Sequence, residues 1–497
     1  MINRMDLDDK ETLILVRLSG ELATKARGTR NRFQRQLISN LREALAVSEI
    51  PFELRHEWGR VYIEAGSRRA LEVVPRVFGI KSISEVEATV APDLKEIVSE
   101  GERVFADRVR GRSFAVRARR AGRHSFSSGD IHNELGAALN AYGRVDLGAP
   151  DVTVRVEVRS DAAYMFSRII PGGAGVPVGV GGRAIALISG GFDSAVAAWM
   201  MLKRGVVLDY VFCNLAGAAY ERAALAVTKR VADDWSYGTR PLIHVLDFEQ
   251  PIAELKRTVR ESYWQVVLKR MMYRAAEMVA RQTGAGAIVT GEAIGQVSSQ
   301  TLDNLGAIGS CLTLPVIRPV VGFDKEEIIA RSREIGTYAL SEKVQEHCAL
   351  SLARPVTAAR TFEVDREESR MNLAALEAAV AEHRTLDLRG LGALDATLPY
   401  LYTTEVPEGA VVIDTRSARE YEVWHYPGAI RREYWDLLRD FTGLDLKPTY
   451  ALYCDVGLKT AQLVEKMQRA GYEAYSFKGG AAALRSSVEG VERLTQP

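Results

Sequence analysis

Between Ala184 and Phe248 the chain alternates short apolar runs with amphipathic stretches: "AIALI", "AVAAWMML", "VVLDYVFCNL", "ERAALAVTKRVADDW" and "PLIHVLDF". Strand-length apolar runs separated by helix-length stretches admit few folds. They specify a doubly wound parallel sheet, which gathers its ligands at the carboxyl ends of the strands. The turn between the first run and the first helix is "SGGFDS", Ser189 to Ser194. Its glycines let backbone N–H groups close on an anion, and the helix that follows adds its positive end. A mononucleotide loop of the Gly-Lys-Ser/Thr type would place a lysine at the helix start. This loop has no lysine, and Asp193 stands at the helix entrance instead.

A chain of 497 residues is too long for one core and implies three or four domains. The net charge of +1 says little about an acidic partner, but its distribution says more. Lys25 to Arg42 carries six basic residues and no acid, and Arg103 to Arg123 carries eight arginines with one acid, Asp107. Two such clusters fit a polyanion-binding surface. No apolar signal region and no uninterrupted 18-residue apolar run is present, so a cytoplasmic protein without a membrane span is expected. The cysteines Cys213, Cys311, Cys348 and Cys454 form no C-x-x-C pair. That excludes a disulfide framework and argues against structural zinc.

The pattern divides the chain. A small α+β unit spans 1–78, starting with the strand "TLILVRL" and the amphipathic helix "RNRFQRQLISNLREAL". A second α+β unit, 79–168, contains "SFAVRARRAG", whose alternation buries one face and loads the other with arginine. The doubly wound unit occupies 169–357, entered through the Gly-rich "PGGAGVPVGVGG". A charged helical linker covers 358–395, and a short α/β pattern fills 396–497.

Several motifs carry chemistry. "VLKRMMYRAAE" sets Lys269, Arg270 and Arg274 on a helix among apolar residues, which points them to the site rather than to solvent. "VTGEAIGQVSSQTLDNL" ends a strand in Gly291 and Glu292, and small and amide side chains follow, Gln300 among them. Such residues suit a nucleotide pocket. In "RPVVGFDKEEII", Asp324 is a helix N-cap and Lys325 lies just inside the helix, opposing its dipole. A nearby anion would offset that, so Lys325 is a candidate phosphate contact. In "YALYCDVGLKTAQLVEKM", Cys454 ends a strand at a loop that runs into a helix, a setting that makes a cysteine nucleophilic.

The S-G-G-x-D-S turn resembles the signature of the PP-loop ATP pyrophosphatases, and "DTRSAREY" with "HYPGAI" resembles a rhodanese domain. The order of units, with "GRHSFSSGDI" and "LKRMMYRAA", resembles the long form of the tRNA 4-thiouridine synthetase (tRNA sulfurtransferase) family along essentially the whole chain. The resemblance implies a ferredoxin-like domain (1–78), a THUMP RNA-binding domain (79–168), a PP-loop domain (169–357) and a rhodanese-like domain (396–497). It implies ATP bound by Leu187, Ile188, Ser189, Gly190, Gly191, Asp193, Ser194, Lys269, Gly291 and Gln300, with Mg2+ held at Asp193 and the phosphates. Asp193 and Lys325 would serve adenylation of a tRNA uridine, position eight in the family. Cys454 would carry the sulfur as a persulfide, and Cys348 would resolve it by forming a disulfide with Cys454. The arginines Arg110, Arg112, Arg117, Arg119, Arg120 and Arg123 would hold tRNA. Implied partners are tRNA, a cysteine desulfurase, the thiamine-pathway sulfur-carrier protein and a second copy of the chain. The alternative is a persulfide carrier for thiamine biosynthesis without tRNA modification.

Overall fold

A computed structural model describes residues 11–57, 59–344, 354–392, 399–455 and 457–495. It divides into two compact units, the first made of residues up to 181 with 203–205 and 237–239, the second of the remainder from 182 on.

In the first unit, β1 (Thr12–Leu18) leads to the long helix α1 (Arg27–Val47) and the hairpin β2 (Phe52–Glu57) and β3 (Arg60–Ala65); β4 (Ile80–Val86) follows. Alternation on β1 sends Ile14 and Val16 to α1, where they meet Phe33, Leu37 and Leu41. Leu15 points the other way and packs with Tyr62, Tyr164 and Phe166. A second sheet is built from β5 (Ala88–Val90), β6 (Ser113–Arg120), β7 (Arg144–Val145), β8 (Val152–Val158) and β9 (Ala163–Phe166) in the order β5-β9-β8-β6-β7. Helices α2 (Leu94–Val109) and α3 (Ser128–Leu139) cover its apolar face through Phe105, Ile131 and Leu135. At the entrance to the glycine-rich stretch, β10 (Ile170–Pro171) pairs antiparallel with β4 and completes the first sheet.

The second unit opens with β11 (Arg183–Leu187), α4 (Phe192–Lys203), β12 (Val207–Asn214), α5 (Ala218–Trp235), β13 (Leu242–Asp247), α6 (Trp264–Thr283), β14 (Ile288–Val289), β15 (Val316–Ile317) and α7 (Lys325–Glu334). Its strands run in the order β15-β14-β11-β12-β13, all parallel, so the doubly wound sheet expected from the alternation is present. The order reverses between β11 and β14, the switch point at which such sheets bind ligands.

The 358–395 segment is not helical throughout. It holds α8 (Thr361–Glu368) and a second short helix, then β16 (Arg384–Asp387), which adds antiparallel to β13. The apolar surroundings of Arg270 and Arg274 have the same origin. Arg270 is 1% exposed and donates to Glu368, the Ala307 carbonyl and Ser310, and Arg274 reaches the same Glu368. These arginines clamp α8 onto α6 and do not face the site. Arg270→Ala is expected to cost about 3 kcal/mol, the low end for a broken buried pair because Arg274 still holds Glu368. Denaturant unfolding followed by tryptophan fluorescence measures it.

The last sheet consists of β17 (Tyr402–Thr403), β18 (Val411–Asp414), β19 (Ile430–Arg431), β20 (Tyr450–Tyr453) and β21 (Ala474–Phe477), all parallel, in the order β17-β21-β20-β18-β19. Helix α9 (Leu458–Arg469) packs Ala461, Val464 and Met467 on Ile413 and Leu452. No helix among the described residues is long and apolar enough to cross a membrane.

Candidate active site

The chain leaves β11 at Leu187 and turns through Ser189, Gly190 and Gly191 into α4. Ser194 closes the turn on itself: its hydroxyl donates to the Gly191 carbonyl (3.1 Å) and accepts the Ser189 N–H (3.3 Å). Gly190 has φ 81°, and a Cβ there would lie 2.8 Å from Ala224 Cα, so only glycine fits. Across the switch point, Thr290, Gly291 and Glu292 follow directly on β14. A Cβ on Gly291 would stand 2.4 Å from the Ser194 nitrogen, so the segment after β14 touches the first turn of α4 backbone to backbone.

Between them opens a cleft of about 450 Å³. Leu187, Ile188, Ser189, Asp193, Ser194, Lys269, Gly291 and Gln300 all line it. These expected residues come from four separated segments and meet in one place. Gly190 and Gly191 shape the turn without lining the cleft. Lys325 reaches it through Asp193: its ammonium donates to both carboxylate oxygens at 3.3 and 3.4 Å. Asp324 caps α7 as expected, accepting the Glu327 N–H at 2.8 Å. Gln300 is buried, and its Oε1 has no hydrogen-bond partner among the described residues. A buried amide acceptor without a partner is costly to leave unmatched, and this one belongs to a residue that lines the cleft.

The cleft also holds a group that reading the sequence missed. Tyr273 donates its hydroxyl to Glu292, which also accepts from Thr290 (3.1 Å) and from Arg318 Nε (3.0 Å). Burial, and then the Glu292 charge, raise the Tyr273 hydroxyl well above its ordinary pKa. Tyr273 lies one helical turn beyond Lys269 on α6, and that spacing is the signal that could have found it.

Cys454 follows β20 and is 2% exposed. Its sulfur accepts the Gly457 N–H at 3.1 Å and lies 3.7 Å from the Thr460 hydroxyl. Gly457, at φ 84°, bends the loop into α9. A strand end, a loop N–H on sulfur and a helix start form a cradle for an anionic sulfur. Cys348 lies outside the described residues.

The six arginines expected to hold tRNA are all exposed, but β6 separates them. Arg110 and Arg112 lie before the strand, and Arg119, Arg120 and Arg123 at its far end. Arg117 and Arg119 share the face away from the helices, next to Arg155 on β8. With Arg17, Lys81 and His132 they line a concavity of about 640 Å³, whose other members are too distant in sequence to read as a cluster. Arg17 is pushed down to about 10, chiefly by burial; Glu157 opposes this, while Arg60, Arg119 and Arg155 add to it. That crowding of positive charge favours an anion there.

The fold and these sites define a PP-loop enzyme that joins nucleotide chemistry to a rhodanese-type cysteine and a basic RNA-type module. Comparison with known proteins narrows this. Residues 179–373 match the family model described as thiamine biosynthesis protein (ThiI), 13–84 the ThiI ferredoxin-like domain, 91–168 the THUMP domain and 403–487 the rhodanese-like domain. The tRNA sulfurtransferase of Desulfurococcus amylolyticus is 37% identical over 96% of this chain and 98% of its own length. That of Pyrobaculum aerophilum is 36% identical over 96% and 99%. The crystal structure of a 4-thiouridine synthetase–RNA complex with bound ATP superposes with a TM-score of 0.68 at 31% identity, covering 76% of this chain and 99% of that one. The chain belongs to the tRNA sulfurtransferase family.

Proposed function

We propose that the chain activates a tRNA uridine, position eight, with ATP and replaces its O4 by sulfur carried on Cys454, yielding 4-thiouridine, AMP and pyrophosphate. The observation that carries this reading is the cleft itself. Its SGGFDS turn, Gly291 and the unmatched Gln300 lie at the switch point of a sheet whose chain also presents Cys454 in a sulfur cradle.

The turn and the start of α4 bind phosphates through backbone N–H groups, and Gln300 and the strand ends take the nucleoside. Lys325 draws negative charge off the α- and β-phosphates as pyrophosphate leaves. Among the described residues no cluster of three His, Cys, Asp or Glu could hold a metal, and Asp193 is the carboxylate beside the phosphate cradle. A lone carboxylate with phosphate and water ligands suits Mg2+, which Asp193 would hold and which neutralises phosphate charge when bound. The uridine O4 attacks the α-phosphorus and the bond to the β-phosphate breaks. The terminal persulfide sulfur then attacks C4 and AMP departs. Cys348 attacks the Cys454 sulfur, the S–S bond to the transferred sulfur breaks, and the resulting Cys348–Cys454 disulfide is reopened by an external thiol reductant.

A cysteine desulfurase supplies the persulfide, and the thiamine-pathway carrier is a second acceptor; the chain acts in the cytoplasm as a homodimer. Arg110, Arg112, Arg117, Arg119, Arg120 and Arg123, with the concavity, hold tRNA largely through phosphates. Affinity is therefore expected to fall about 10³-fold between 50 and 200 mM salt if about six phosphates are neutralised. Paired Arg119→Ala and Arg155→Ala substitutions should flatten the log–log salt slope by about two, read by fluorescence anisotropy.

Reconstitution tests the whole. With unmodified tRNA, Mg-ATP, cysteine and a desulfurase, pyrophosphate and thiouridine absorbance should both appear and both require tRNA. Pyrophosphate without thiouridine would mean another nucleophile. Persulfide on Cys454 with neither product would favour the carrier reading.

A further inference from the structure

The first two amides of helix α5 take no cap from their own segment, where Asn214 Oδ1 accepts only the N–H groups of Ala216 and Gly217. The residue before the helix is Gly217, at φ 90° and without a side chain, although this position normally carries Ser, Thr, Asp or Asn. The missing cap comes from the rhodanese-like domain. Glu465 on α9 accepts the N–H of Ala218 (2.9 Å) with one carboxylate oxygen and that of Ala219 (3.1 Å) with the other. Glu465 is 5% exposed, and Arg469 donates to it at 2.8 Å. A Cβ on Gly217 would stand 2.8 Å from either carboxylate oxygen, so the glycine is what admits the carboxylate. Around this contact Ala219 joins the apolar cluster of Leu463, Val464 and Met467.

The location matters. Cys213 at the end of β12 and Tyr220 in the first turn of α5 both line the nucleotide cleft. Glu465 therefore fastens the rhodanese-like domain at the cleft's rim. It lies seven residues into the helix that starts just after the Cys454 loop, about 10 Å along the axis.

We propose that the Glu465 cap is a docking point that holds the sulfur-bearing domain at the cleft, raising the local concentration of the Cys454 persulfide during sulfur transfer. This rests on the function proposed above. The occupant is the chain's own rhodanese-like domain, and the recognition is a carboxylate on two unpaired helix N–H groups.

Glu465→Gln in the full chain tests it, because an amide of the same shape turns an NH2 toward donors or offers a single neutral oxygen. Gly217→Ala breaks the contact from the other side. With Cys454 preloaded as persulfide, three quantities are followed: hydrogen exchange at the Ala218 and Ala219 amides, pyrophosphate release, and single-turnover thiouridine formation. In both variants exchange should rise at least tenfold and thiouridine formation slow about tenfold, with pyrophosphate release unchanged. Faster exchange with unchanged thiouridine formation would overturn the proposal, leaving the contact merely structural. Unchanged exchange would overturn it too. Exchange does not depend on the reaction, so a parental chain silent in both product channels would count against the proposed function and not against the cap.

Discussion

A Cys454→Ser chain is expected to release pyrophosphate from ATP at the parental rate in the first turnover with unmodified tRNA, up to one equivalent per tRNA, and to make no 4-thiouridine. The two halves of this result come from separate structures. The nucleotide cleft is lined by residues between Leu187 and Gln300, with none from the rhodanese-like sheet. Cys454 lies in the loop after β20, where its sulfur accepts the Gly457 N–H. A serine oxygen can accept the same N–H, so the loop and α9 keep their arrangement. An oxygen cannot carry sulfane sulfur, however, and the transfer loses its donor. Thiouridine absorbance and a coupled pyrophosphate assay on the same sample measure both halves. Loss of pyrophosphate release along with thiouridine would overturn this division of labour.

What the sequence made legible was mostly local. The SGGFDS turn, the Asp324 cap before Lys325 and the strand–Cys454–helix step are each contiguous, and their residue order largely dictates their geometry. Parallel strands could be read because alternation with helices leaves few other folds. Long-range partners could not. Arg270 and Arg274 read as cleft residues because their neighbours are apolar, but the burial comes from α8, whose Glu368 lies far along the chain. One helical position decides it: Lys269 and Tyr273 face the cleft, and the next residue in each case is turned about 100° away. The Tyr273–Glu292–Arg318 group and the concavity shared by Arg17 and Arg155 are likewise made by the fold. The charged 358–395 segment hid β16 because an edge strand of four residues carries too little apolar alternation to register.

Asp193→Asn should remove pyrophosphate release by about 10²–10³-fold, the scale seen when one group is deleted from a preorganised electrostatic site. The substitution keeps the side chain's size and takes away its charge. In the folded chain that charge is 8% exposed at the start of α4, within 3.4 Å of the Lys325 ammonium. Losing it leaves Lys325 without its carboxylate and the phosphate cradle without the group proposed to hold Mg2+. Stability should hardly change. The Lys325 side chain is 45% exposed, so the ion pair is worth within about 1 kcal/mol, and an uncharged amide still fits the turn. Persulfide loading of Cys454 by a desulfurase should also persist, because that cysteine belongs to a different sheet. The variant is thus the mirror image of Cys454→Ser: sulfur loaded, nucleotide chemistry lost, unfolding midpoint kept. Thermal unfolding, persulfide labelling and pyrophosphate release on one preparation separate these outcomes. Parental pyrophosphate release from a folded Asp193→Asn chain would move the phosphate chemistry away from the SGGFDS turn.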